Sequence, residues 1–112
     1  MSVGQFVFML HSHLPYYRKA GMWPFGEENL YECMAETYVP LLNAISELYD
    51  EGIKAKLTVG ITPILAEQLA DEHLQHGFVE YIDSRIKSGS KDLERYPDPE
   101  VAHSQHLKYL AM

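Results

Sequence analysis

A chain of 112 residues is long enough for one small domain with a real core, since a domain of that size buries well over half of its unfolded surface. Hydrophobic residues make up 46% and charged residues 22%, with eight Tyr, four Phe and one Trp, a composition that excludes a disordered chain. The net charge of −7, with nine Lys and Arg scattered among acidic neighbours, would repel phosphate backbones and excludes nucleic acid as a partner. A neutral partner meets no such barrier.

Cys33 is the only cysteine, so no intramolecular disulfide is possible and a cytoplasmic location is expected. The apolar start, Met1 to Leu10, lacks preceding basic residues and a following cleavage site, and it is too short to span a bilayer. Gln5 to Leu10 instead has the length and the aromatic and β-branched content of a buried strand, placed near residues 5–11. Pro15 stops it, and from Ser12 to Glu28 neither period holds, while Pro15, Gly21, Pro24 and Gly26 punctuate a long loop of the kind that carries function.

From Asn29 to Asp50, Leu30, Met34, Tyr38, Leu41, Leu42, Ile45, Leu48 and Tyr49 recur at three and four, which marks a helical face. Pro40 predicts two helices or a kink, with the proline in the first turn of the second, and Gly52 a C-terminal cap. Ala55 to Ile61 reads as a second strand, and Thr62-Pro63 opens a helix to about Ala70. Two strands joined by a helical crossover lie parallel with a right-handed connection, so the expected fold class is α/β. His76 to Lys87 supplies a further helix with Phe78, Val79, Ile82 and Ile86 on one face, ended by Ser88-Gly89-Ser90. Asp98 and Pro99 start a last helix. No stop signal follows, and two parallel strands need covering on both faces, so further strands are expected either from the remainder of a parent chain or from a partner.

His11 and His13 stand at the C-terminal end of the first strand, the edge where barrel active sites sit. Their i, i+2 spacing puts both imidazoles on one side, able to bond hydroxyl groups or to ligate a metal. The plainer alternative is that they bond backbone carbonyls at the strand end. Tyr16, Tyr17, Trp23 and Phe25 form a second group, either flat platforms for the apolar faces of pyranose rings or a small core that holds the loop together. Trp23 is the platform candidate. The pairs His73/His76 and His103/His106, and the acids Asp50, Glu51, Asp71 and Glu72, read as solvated surface. No glycine-rich phosphate loop, cysteine cluster or nucleophile elbow is present.

The segment His11-Ser-His-Leu-Pro-Tyr-Tyr-Arg-Lys-Ala-Gly-Met-Trp-Pro-Phe-Gly-Glu-Glu28 closely resembles the opening of bacterial glycoside hydrolase family 57 branching enzymes. The likeness continues through Tyr31-Glu-Cys-Met-Ala-Glu-Thr-Tyr-Val-Pro-Leu-Leu42 and Leu57-Thr-Val-Gly-Ile-Thr-Pro-Ile-Leu-Ala-Glu-Gln-Leu69. It implies that residues 1–112 are the N-terminal part of one catalytic domain, the opening βαβα(α) portion of a (β/α)7 barrel. The family's first motif ends in His-Gln-Pro, matched here by His13, Leu14 and Pro15, with leucine as in the branching enzymes. By resemblance His11 and His13 contact the sugar at the point of cleavage, and Trp23 lines the cleft for an α-glucan. The implied chemistry is a retaining double displacement by a glutamate nucleophile and an aspartate acid/base. Both carboxylates belong to motifs further along such proteins, so no catalytic residue is assigned here and Glu27, Glu28 and Glu67 are set aside. No cofactor, metal, membrane or nucleic-acid partner is expected. The alternatives are a metal-dependent hydrolase using the His-x-His pair, a family 57 amylase or 4-α-glucanotransferase, and a non-catalytic carbohydrate-binding piece.

Overall fold

The computed structural model describes residues 3–95, and the helix expected from Asp98 and the His103/His106 pair lie outside them. Strands β1 (Met9–Ser12) and β2 (Thr58–Ile61) pair in parallel, with Met9 opposite Thr58 and Ser12 opposite Ile61. The ladder gains one bond at each end, Thr58 N–H to Phe8 C=O at 3.0 Å and Thr62 N–H to Ser12 C=O at 3.2 Å. The parallel α/β arrangement is as expected, but both strands are shorter, because a strand persists only where a partner's backbone faces it. The apolar run before β1 is not buried: Phe6 is 90% exposed and Val7 74%.

Between the strands lie α1 (Glu27–Cys33), a π-helical turn over Met34–Tyr38, and α2 (Val39–Asp50). Pro40 has no N–H to bond back into the helix, and its ring crowds the preceding turn. Widening that turn relieves both problems, with Val39 N–H reaching Met34 C=O five residues back. The expected change of helix at Pro40 is therefore present, made as a bulge in a continuous rod. Gly52, at φ 78°, ends α2: its N–H bonds Tyr49 C=O at 3.0 Å while Ile53 N–H bonds Leu48 C=O at 2.8 Å, the two bonds of a Schellman closure.

Helix α3 (Pro63–Leu69) starts on Pro63 as expected. Helix α4 (Glu72–Arg95) begins earlier than its apolar pattern suggested and runs on through Ser88-Gly89-Ser90, where a turn was expected. Asp71 explains the early start, since its Oδ1 accepts Leu74 N–H at 3.2 Å as a helix N-cap. The continuation is inexpensive: the Ser90 hydroxyl is satisfied inside the helix by Ile86 C=O at 3.0 Å, and one interior glycine costs only about 1 kcal/mol.

The core belongs to the helices. Leu30 and Tyr31 of α1, Leu65 of α3, and Leu74 and Tyr81 of α4 are buried, flanked by Leu14, Tyr17, Met34, Tyr38, Leu69, Phe78 and Ile82. Burying a leucine of this kind stabilises by about 1.5–3 kcal/mol. The inward face of α4 is thus Leu74, Phe78, Tyr81 and Ile82, while Val79 and Ile86, expected inward, are exposed. Gly77 lies on that face because a Cβ there would run into the Tyr31 phenol. Along α2 no residue is fully buried, and Leu42 and Tyr49 face outward. Among the described residues no helix is long and apolar enough to cross a membrane.

Candidate functional site

His11 lies on β1 and His13 just past it, so strand alternation sends both side chains to one side. Their ring centroids are 5.4 Å apart, tilted by 31°, and both residues are exposed. Ser12 between them points the other way from the pair and donates its hydroxyl to Gly60 C=O at 3.2 Å. Gly60 stands opposite His11 in the ladder, and a Cβ at that position would sit 3.1 Å from His11 Nδ1. The glycine leaves the imidazole its room.

The loop that follows separates the four aromatics. Tyr17 packs on the helical core, which fits the small-core alternative, whereas Trp23 is 78% exposed and Phe25 and Tyr16 also face outward. The loop includes a cis peptide bond at Trp23-Pro24 and a left-handed residue, Lys19, at φ 59°. It is tied to the helices by three side chains. Gln68, 1% exposed, accepts Tyr17 N–H on Oε1 at 2.7 Å and donates from Nε2 to Pro15 C=O at 3.0 Å. Asp71 receives Arg18 Nε at 2.6 Å. Glu27 accepts Lys19 N–H at 2.7 Å and meets His73 Nε2 at 2.9 Å on the same oxygen, while its other oxygen accepts from Tyr31 O–H at 3.2 Å.

Glu27 is 7% exposed. Burial works against its charge, but the Lys19 N–H, His73 and Tyr31 bonds outweigh burial and hold the carboxyl below the usual glutamate range. Burial, with the neighbouring Glu27 charge, pushes the Tyr31 phenol up to about 12. Burial also opposes the Asp71 charge, and the Arg18 guanidinium and Leu74 N–H overcome it, so Asp71 stays below the ordinary aspartate range.

The reading of Asp71 as plain solvated charge is therefore corrected: it is an ion pair and a cap at once. His73, taken as a solvated histidine, is half exposed yet bonded to Glu27. The available signals were local: Glu27 and Tyr31 stand at i, i+4, and Asp71 precedes Glu72 where a cap belongs. Nothing local marks Gln68 as a loop anchor, since its loop partners, Tyr17 and Pro15, are more than fifty residues away in sequence.

Chemically, the two imidazoles offer donors and acceptors for hydroxyl groups, and Trp23 offers an exposed, flat indole. Both carboxylate oxygens of Glu27 are engaged in internal bonds. Among the described residues no group of three or more His, Cys, Asp or Glu is arranged to hold a metal ion.

No family model matches the chain. Over 106 residues it is 44% identical to the 1,4-alpha-glucan branching enzyme of Thermococcus kodakarensis, a match that covers 95% of this chain and 16% of that protein. It is 42% identical over 74 residues, 66% of its length, to a probable 1,4-alpha-glucan branching enzyme of Mycobacterium tuberculosis, of which it spans 14%. The crystal structure of a GH57-type branching enzyme from Pyrococcus horikoshii superposes with a TM-score of 0.84 at 44% identity, over 92% of this chain and 19% of that one. The chain thus spans less than a fifth of the length of each of these relatives.

Proposed function

Because the chain belongs with the branching enzymes of glycoside hydrolase family 57, matching a short stretch of them, we propose that residues 1–112 form the opening part of a (β/α)7-barrel catalytic domain. That domain transfers α-1,4-glucan segments onto glucan 6-hydroxyls in the cytoplasm, in the service of glycogen-like polymer synthesis. In this reading β1 and β2 are adjacent barrel strands, and His11 and His13 mark the active-site edge. The observation that carries it is the convergence of two exposed imidazoles, 5.4 Å apart, at the C-terminal end of β1.

His11 and His13 bond the hydroxyls of the sugar at the point of cleavage, and Trp23 offers its face to a glucose further along the chain. The nucleophilic glutamate and the acid/base aspartate of the retaining mechanism come from the remainder of the polypeptide. This segment contributes binding and orientation.

The test is an assay of the complete polypeptide on amylose for new α-1,6 branch points, with His13→Ala beside it. Loss of a hydrogen bond to the reacting sugar is expected to lower kcat/KM by about 1–3 kcal/mol of transition-state binding, and unchanged kinetics would remove His13 from the site. Stoichiometric zinc or iron on the purified protein would move the histidine pair to metal chemistry instead.

A further inference from the structure

The loop from His13 to Gly26 bears two of the proposed sugar contacts but belongs to no strand or helix. Its backbone is held instead by buried polar side chains of the helices. Gln68 uses both ends of its amide as a neighbouring strand would, taking Tyr17 N–H and giving to Pro15 C=O, the carbonyl two residues after His13. A further bond from Nε2 to Ile64 C=O, at 3.3 Å, fixes which way the amide faces. Glu27 takes the N–H of Lys19, the left-handed residue of a turn closed by Ala20 N–H to Tyr17 C=O at 2.9 Å. The Glu27 backbone also bonds Gly21 C=O at 2.8 Å, so one residue ties down the chain on the approach to Trp23. Gln68 thus grips the loop near its start, at Pro15 and Tyr17, and Glu27 grips it further on, at Lys19 and Gly21.

We propose that Gln68 and Glu27 are positioning residues with separate tasks: Gln68 sets the backbone that carries His13, and Glu27 sets the backbone that carries Trp23. The inference rests on the sugar-binding reading above and extends it to two helix residues that touch no substrate. Small displacements of a group that contacts the reacting sugar are costly, with 1 Å worth up to about a hundredfold in rate. A displaced platform costs binding of the extended chain more than it costs turnover.

The test uses the complete polypeptide that carries this chain, with short and long α-1,4-glucan donors and a thermal unfolding scan of every variant. Gln68→Met keeps length and packing but neither hydrogen bond; kcat is expected to fall about 10- to 100-fold on both donors with KM little changed. Glu27→Ala is expected to raise KM about tenfold for long donors only, and Glu27→Gln, which keeps an acceptor for Lys19 N–H, to restore most of it. A folded Gln68→Met with wild-type kcat, or a Glu27→Ala whose losses do not depend on donor length, overturns the proposal. If Gln68→Met does not fold, the Glu27 pair of variants decides by itself. His13→Ala and Trp23→Ala run alongside: if both leave kinetics unchanged, the sugar-site reading and this inference fall together. If they are impaired while the folded Gln68 and Glu27 variants are not, only the positioning role falls.

Discussion

The helical cluster and the two-stranded sheet meet the same demand, the burial of apolar side chains, with opposite results. Around Tyr31, three helices close on one another, and the buried Glu27 and Gln68 side chains find partners there. Around β1, Phe6, Val7 and Met9 stay open to solvent although their sequence is as apolar as that of the helices. Helices can pack pairwise and finish a small core, whereas a parallel sheet is stable only when layers cover both faces. An apolar run therefore states a requirement, and the fold around it decides whether the requirement is met.

Substitutions on the two sides of that contrast should differ most. Tyr31→Ala removes a fully buried ring and is expected to cost about 3–5 kcal/mol in urea denaturation. A value near 1 would show the cluster to be loosely packed. Gly77→Ala places a methyl group against the Tyr31 phenol and should cost about 1–3 kcal/mol, a loss that Tyr31→Phe in the same chain should partly relieve.

The Glu27 anchor makes the cluster acid-sensitive. Its carboxyl titrates lower in the fold than in the unfolded chain, so its contribution is present above the unfolded glutamate value and is lost as pH falls through the lower folded value. Glu27→Gln should flatten the acid limb of the stability profile, and an unchanged limb would place the sensitivity elsewhere. The smallest effect is expected at the sheet: Phe6→Ala, at 90% exposure, should shift stability by less than about 0.5 kcal/mol in this chain. A much larger cost when the chain is part of the longer polypeptide proposed above would show that other segments cover that face there.

Much of the arrangement was legible beforehand. The order of strands and helices, the parallel pairing, the change of helix at Pro40 and the stop at Gly52 follow from proline, glycine and apolar period, which act within a few residues of themselves. The same holds for His11 and His13 sharing a side, because strand geometry alone dictates it. The run through Ser88-Gly89-Ser90 was not legible, since serine and glycine favour a turn without compelling one.

By itself, then, the sequence determined the α/β order of elements, the helix boundaries set by proline and glycine, and the placing of two imidazoles at one strand end. Only the tertiary structure decided which face of α4 turns inward, that Tyr17 packs in while Trp23 stays out, and that Glu27, Gln68 and Asp71 hold the loop. The first set depends on local backbone sterics and side-chain period. Most of the second depends on partners brought together from more than forty positions away, as in Glu27 with His73 and Pro15 with Gln68, and no local pattern encodes that meeting. Glu27 reaches Lys19 only eight residues off, but through an irregular loop that neither period describes.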